Sequence, residues 1–253
     1  MYHLQFLNFD SNLTTTSNPL DSSFILSDPL RRIKRIYLKS VELPINFNNI
    51  RNNFNTIEFT FKGTTTATTS YILTIPSAYY TNISDILTVL NNQIKYHIFQ
   101  TFTTDQFPQF SLNSNNTITC SVPIPGLTFS LTPSNVVSQI LGFTNANKII
   151  FTTSITSSRI FNLNYDNYLN IYFPNIPHKT NGFSNQLMSF KIPLNATNGS
   201  IYYTAENISF SQFIEITDEN FILNNLKIQV YDQFNNLLNN NGINWSFTLA
   251  FQY

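Results

Sequence analysis

The sequence is short of charge, cysteine, histidine and glycine, and each shortage removes a class of chemistry. Asp, Glu, Lys and Arg make up 10% of the 253 residues, well under the roughly 25% of ordinary soluble domains. The 13 basic and 13 acidic residues cancel, so no global field steers the chain to nucleic acid or to an anionic surface. The single cysteine, Cys120, leaves no intramolecular disulfide. It alternates with Ile118 and Val122 on an apolar face, where a buried thiol is expected and a nucleophile is not. His3, His97 and His178 are the only histidines, and none has a second ligand at metal spacing. Six glycines provide no phosphate cradle, and neither a P-loop nor a nucleophile elbow occurs. The carboxylates are scattered. Asp218 and Glu219 are adjacent, but Asn220 beside them points to a turn, whereas a glycosidase needs two facing carboxylates. No catalytic, cofactor-binding or metal site is expected, and no cofactor. No run approaches the ~20 apolar residues of a membrane span, and the opening MYHLQFLNFD has neither the charged start nor the apolar core of a signal peptide.

What is present is apolar, aromatic and amide-rich. Hydrophobic residues reach 42% and aromatics 15%, which is the composition of a chain with a packed core. About one residue in seven is Asn, several times common usage. Drift in an AT-rich genome accounts for much of this. A surface given over to contacts accounts for it too, because buried charges must be desolvated.

The strongest pattern lies at residues 226–253. Leu226, Ile228 and Val230 alternate with polar residues, and so do Trp245, Phe247, Leu249, Phe251 and Tyr253. Period two places each set on one face of a strand, and DQFNNLLNNNG between them is rich in turn formers. Upstream, residues 31–44 form a strand ended by Pro44. Residues 57–61 and 71–75 make a hairpin with a long loop at 63–70. Residues 109–112, 117–122, 127–131, 149–153, 159–164, 168–173, 187–194, 201–204 and 208–216 add further strands. Ile83, Ile86, Leu87, Leu90 and Ile94 recur at helical spacing within residues 77–98. A shorter helix is expected over 133–141, with Thr132 as cap and Gly142 as stop. Residues 1–30 read as an N-terminal arm and 31–253 as the main domain, with 77–145 either an inserted small domain or a decorated region. The fold class is all-β: a jelly-roll β-sandwich with short helices.

Five of the thirteen basic residues, Arg31, Arg32, Lys34, Arg35 and Lys39, fall within nine positions. They could face nucleic acid, guard a strand end, or meet another subunit. In the Tyr79–Tyr80 and Tyr202–Tyr203 pairs, one ring of each could point outward.

Four stretches carry a family resemblance. FILSDPLRRIKRIYLKSVELPINFNNI (24–50) runs a strand into a Leu-Pro turn and an Asn-Ile. YILTIPSAYYTNISDILTVLNNQI (71–94) has a strand, a proline, aromatics and a helix. SNVVSQILGF (134–143) is a short helix ending in Leu-Gly-Phe, and KIQVYDQFNNLLNNNGINWSFTLAFQY (227–253) closes on an aromatic strand. Together they resemble the penton (minor capsid) proteins of virophages such as mavirus and of Polinton-like viruses. One departure is Asn235, where the family often has glycine; Asn also tolerates left-handed backbone. The resemblance implies a jelly roll forming homopentamers at icosahedral vertices. It implies partnership with a major capsid protein, residence in the virion after assembly inside the host cell, and a structural role without enzymatic activity. Weak nucleic-acid contact inside the shell is a further expectation for the basic cluster. The alternative is a viral spike or fibre head that binds a glycan or receptor.

Overall fold

The protein is described here by a computed structural model. It describes every residue except 1–2, 53, 63–67, 102–106, 124–125, 145–146, 165, 178–187, 197 and 206–212. The chain divides into two compact units, one of Met1–Phe47 with Asp166–Tyr253 and one of Asn48–Tyr165.

The first unit is built from chain segments at both ends of the sequence. Its first sheet contains β1 (Leu4–Asp10), β16 (Ser246–Gln252), β3 (Arg35–Pro44) and β13 (Ile201–Ala205), in that spatial order. Strand β14 (Phe213–Glu215) continues along β3 after β13, as the second half of a broken strand. The second sheet runs β12 (Phe190–Pro193), β11 (Tyr168–Tyr172), β15 (Ile222–Tyr231), β2 (Asp21–Arg31). All pairings are antiparallel. Counted along this unit, with β13 and β14 as one, the first sheet has strand order first, eighth, third, sixth. The second has order second, seventh, fourth, fifth. Successive strands alternate between sheets except the fourth and fifth, which pair in the second sheet, and this order of nested Greek keys is the jelly-roll connection.

The alternating residues of the closing stretch supply the centre of the core. Phe247 is buried and stacks on Phe9 at 5.0 Å and on Trp245 at 4.8 Å, while Phe24 of the second sheet meets it edge-on at 5.8 Å. These offset and edge-to-face contacts add to the area term. The Trp245 indole N–H donates to the Pro19 carbonyl at 2.7 Å, so the one polar atom of the ring is satisfied in the core.

Strand β3 keeps its apolar face inward through a bulge. The register with β16 shifts between Thr248 and Leu249, so Lys39 is the extra residue. Leu38 before it and Val41 after it can then both face the core. The first thirty residues, expected to be an arm, hold β1 and β2 instead. Residues 26–29, including Asp28 and Pro29, lie in a register shift against β15, where an edge strand accommodates a proline.

The connection between β15 and β16 is organised by amides and one carboxylate. Asp232, fully buried, accepts hydrogen bonds from the Phe234 and Asn236 backbone N–H groups at 2.8 and 2.9 Å and from the Asn236 side chain at 2.8 Å. Asn235 adopts φ 63°, the left-handed conformation anticipated for it. Asn240, also fully buried, accepts from the Asn46 backbone N–H at 3.0 Å. Much of the Asn enrichment is spent in this way, as side-chain amides standing in for backbone partners.

The second unit is nearly contiguous in sequence. Strands β4 (Thr56–Lys62) and β5 (Thr69–Thr74) form the expected hairpin, joined by β8 (Thr128–Pro133) and β9 (Ile149–Phe151) in a four-stranded sheet. Strands β6 (Gln109–Leu112), β7 (Ile118–Ser121) and β10 (Ser154–Thr156) make a three-stranded sheet. Helix α1 spans Ile83–Thr101, beginning inside the 77–98 stretch expected to hold it and running three residues past its end. Asn82 accepts from the Ser84 N–H at 2.9 Å and so sets the beginning. Its amide side chains complete two strands. The Gln93 amide exchanges hydrogen bonds with both backbone groups of Thr74, at 2.8 and 2.6 Å, and Asn91 does the same with Phe110, at 2.7 and 2.9 Å.

Helix α2 (Asn135–Leu141) starts after Ser134, with Pro133 still in β8 rather than in the helix. It ends at Gly142 in the left-handed conformation, as expected. Residues 159–164 are not a strand: Phe161 and Asn162 donate to Asn116 and Ile140 in irregular pairings. Residues 208–212 of the expected 208–216 strand, and most of the 63–70 loop, lie outside the described residues. The second unit, residues 48–165, is wider than the 77–145 segment singled out in the sequence.

Candidate functional site

The chemistry-bearing residues of the sequence separate on folding. Cys120 is fully buried, and burial alone pushes its thiol well above the ordinary range, which suppresses the thiolate. His97 stacks on Tyr71 at 4.3 Å, and His3 lies 5.8 Å from the Tyr253 ring. His178 is outside the described residues. Asp218 accepts from the Asn220 N–H at 2.9 Å, so the acidic doublet belongs to a turn. Among the described residues, no group of three His, Cys, Asp or Glu side chains could hold a metal ion, and no helix is long and apolar enough to cross a membrane. Tyr202 is buried and Tyr203 is 67% exposed, so that pair splits as anticipated. Tyr79 and Tyr80 are both half-buried.

The basic cluster divides into an exposed part and an engaged part. Arg31, Arg32 and Lys34 lie in and beside the turn from β2 to β3, and all three are exposed. Arg32 has φ 59°, which turns the chain sharply at an energetic cost for a residue with a Cβ. Arg35 is half-buried on β3. Its guanidinium lies 4.5 Å above the Phe213 ring and 3.5 Å from the Glu215 carboxylate. The Tyr37 hydroxyl, and to a smaller extent the Glu215 carboxylate, hold the Arg35 pKa above its usual value against desolvation. Lys39, the bulge residue, is buried, with its ammonium 5.9 Å from the Tyr37 ring. The five cations therefore do not form one patch.

Arg32 and Lys34 of the exposed part border a groove of about 850 Å³. Its basic lining is Arg32, Lys34 and Arg35, on β3 and the turn before it; Glu215 and Glu219, on and after β14, are its acidic lining, and the end of β16 with Tyr253 borders it from the other side of β3. Strand pairing fixes this geometry. Lys34 donates its backbone N–H to Gln252 at 2.8 Å and accepts from Ile216 at 2.9 Å, which ties three distant segments at one point. The Tyr37 hydroxyl donates to the Gln252 side chain at 2.8 Å, and the Tyr253 hydroxyl to Gln5 at 2.6 Å. Partial burial raises the Tyr253 phenol, so it stays a neutral donor at physiological pH. Sequence reading found the basic lining because its members are neighbours in the chain. It missed Glu215, Glu219 and Tyr253, about 180 to 220 residues further on, which only the register against β3 brings there.

A second set of exposed groups lies on the outer face of the first sheet. Leu4 and Phe6 of β1, Phe213 of β14, and Ile201 and Tyr203 of β13 are 39–67% exposed. Among the described residues, no strand pairs with the free side of β1, and LQFLNFD carries no lysine or proline to guard it.

No family model matches the chain, and no curated protein matches it. A solved structure does: the mavirus penton protein aligns over 98% of this chain and 99% of its own, with a TM-score of 0.55 and 12% identity. The alignment takes in both units. The chain thus has the all-β fold of the mavirus penton protein, a jelly roll with a second unit of strands and helices placed between its third and fourth strands.

Proposed function

We propose that the protein is a structural subunit of an icosahedral capsid, a penton that forms homopentameric vertices and meets a major capsid protein. The observation that carries this reading is the near-complete two-way coverage of a penton protein, inserted unit included. Two surface features support it. The outer face of the first sheet exposes Leu4 and Phe6 at one edge and Ile201 and Tyr203 at the other, and β1 has the unguarded edge that a subunit covers on assembly. A cyclic pentamer uses heterologous contacts, so the two sides of the subunit need not match themselves. In this reading the protein is not an enzyme, resides in the virion after assembly in the host cell, and carries Arg31, Arg32 and Lys34 on a contact surface within the shell.

Light scattering on the size-separated protein tests the reading. A particle of five times the 29.1 kDa chain, or one that becomes so with the major capsid protein, is the expected outcome. A strict monomer under both conditions would overturn it.

One observation favours the second reading, a glycan- or receptor-binding head. The outer face of the second sheet groups Tyr168, Tyr172 and Tyr231 around Asn170, whose buried side-chain amide has no hydrogen-bond partner among the described residues. Aromatic rings beside amides suit sugars. A glycan array separates the readings, since a vertex subunit gives no saccharide signal that Tyr168→Ala abolishes.

A further inference from the structure

We propose that the two open edges of the first sheet pair with each other between copies of this chain. The β1 edge of one copy meets the β13 edge of the next, and the sheet continues from subunit to subunit. This contact rests on the vertex reading for the presence of copies about an axis, and it names the surfaces that meet. The margins of the two sheets are not alike. Those of the second sheet are guarded: β2 carries Asp28 and Pro29 in its register shift, and β12 (FKIP) carries Lys191 and Pro193. Those of the first sheet, LQFLNFD in β1 and IYYTA in β13, contain no lysine, arginine or proline, and the one charge, Asp10, is the last residue of β1. Proteins use such residues to blunt the edges that must stay unpaired. Both edges of one sheet lack them, and both edges of the other have them.

The backbone phase agrees at the two edges. The Tyr253 N–H donates to the His3 carbonyl at 3.2 Å and the Ser11 N–H to the Trp245 carbonyl at 3.0 Å, with an unbroken register between them. Residues of an antiparallel pair alternate between bonding to the neighbour and facing away from it, so Leu4, Phe6, Asn8 and Asp10 direct their N–H and C=O groups to the open side. On β13, the Ile45 N–H donates to the Ser200 carbonyl at 2.9 Å, and by the same alternation Ile201 and Tyr203 direct theirs outward. Among the described residues, no strand pairs with either side. Four of these residues also carry exposed apolar side chains on the outer face: Leu4, Phe6, Ile201 and Tyr203. Each strand of the sheet is antiparallel to its neighbour, so β1 and β13 run in opposite directions. Rotation about an axis along the strands keeps those directions, and β13 of one copy then meets β1 of the next antiparallel. With Leu4 opposite Tyr203 and Phe6 opposite Ile201, the junction gains about four backbone hydrogen bonds and cross-strand apolar pairs on one face. A β1–β1 contact about a two-fold axis would leave the β13 edge uncovered and could not grow into a ring.

Cysteine cross-linking on the full-length protein tests the contact, since the native Cys120 is buried and does not compete. Leu4→Cys and Tyr203→Cys are made as separate variants and mixed under mild oxidation, alone and with the major capsid protein, as in the light-scattering experiment. Opposite residues of a hydrogen-bonded pair stand about 5.5 Å apart at Cα, within disulfide reach. The mixture gives a cross-linked dimer and neither variant alone does; a chain carrying both substitutions gives a ladder of multimers. Gln5→Cys mixed with Tyr203→Cys gives none, because position 5 points to the other face of β1. Phe6→Pro removes an N–H aimed at the open edge and none bonded to β16, so assembly is lost. Thermal melting of each variant checks the fold, and Phe6→Lys serves where the proline variant melts early. Dimers of Leu4→Cys alone overturn the proposal in favour of a two-fold contact. Pentamers that yield no mixed cross-link overturn it and leave the vertex reading standing. The mixed cross-link in a particle of another size sustains it and removes the pentamer. A strict monomer under both conditions overturns both.

Discussion

In the first unit, Leu4 pairs with Gln252 and Asp10 with Ser246, so its central sheet closes only when the two ends of the chain meet. In the second unit, β4 pairs with β5 across one loop, and all its strands and helices lie within residues 48–165. Their edges differ as well. Gln93 and Asn91 of α1 complete β5 and β6 with side-chain amides, whereas β1 is left unguarded. Long-range closure costs more chain entropy before contacts reward it. The first unit offsets that with a dense aromatic core, and the second with local pairing and with amides of α1 on two of its edge strands, β5 and β6. The difference teaches that the second unit's sheets are drawn from one continuous stretch of chain, while the first unit's central sheet depends on segments from both ends. Two native probes separate them: the only tryptophan, Trp245, lies in the first unit and the only cysteine, Cys120, in the second.

The largest expected effect comes from Gly142→Val. Gly142 has φ +78°, and a Cβ there would overlap the Arg159 carbonyl oxygen and lie 2.9 Å from the Ile160 carbonyl oxygen. Both are backbone atoms that cannot swing aside. Left-handed strain and the clash together cost more than about 3 kcal/mol. In urea, Cys120 becomes reactive toward a thiol reagent at much lower denaturant, while the Trp245 emission change keeps its midpoint. If both probes shift together, the two units unfold as one and the comparison fails.

The next pair of variants sharpens the contrast from each side. Phe247→Ala removes the ring between Phe9 and Trp245, and Phe59→Ala removes the fully buried ring that meets Phe129 at 5.7 Å. Each costs about 3–5 kcal/mol. The first lowers the Trp245 midpoint, and the second lowers the denaturant at which Cys120 reacts. In the native protein Cys120 stays unreactive into mildly alkaline pH, since burial holds its thiol protonated. The linkage has a definite sign. Below the ordinary thiol range both folded and unfolded forms hold the proton, and above it only the unfolded form releases it, so this group destabilises the fold as pH rises.

Asp232→Ala is smaller in effect and confined to the first unit. It strips three acceptor contacts from the β15–β16 connection and leaves the Phe234 and Asn236 N–H groups short of partners. About 2–3 kcal/mol is expected, read as an earlier Trp245 transition with Cys120 reactivity unchanged.

How far the sequence foretold this depends on whether a feature is local. The apolar face of β16 and the stop of α2 at Gly142 are written in neighbouring residues, so periodicity and one glycine suffice. Strand β2 was hidden because only Ser22, Phe24 and Leu30 of its eleven residues are buried, and because Asp28 and Pro29 sit in its register shift. The pairing of β1 with β16 is set by packing between the two ends of the chain, from Leu4 with Gln252 to Asp10 with Ser246, and leaves no local trace. The groove shows the same divide: its basic lining was legible as a run of charge, and its acidic lining was not.

The smallest effect concerns that groove. Arg35 and Glu215 are 41% and 66% exposed at the side chain, so water screens their attraction and ordering two long chains offsets what remains. Arg35→Gln and Glu215→Gln are each expected to leave the Trp245 midpoint where it is, at low and at high salt. The Arg35 guanidinium keeps its place chiefly through the Phe213 ring and the Tyr37 hydroxyl, contacts that tolerate loss of the carboxylate. A large drop in the midpoint with either variant would mean that the groove lining supports the first unit. No change is what two solvent-screened charges give, and it leaves the stability of the first unit with its aromatic core and not with this ion pair.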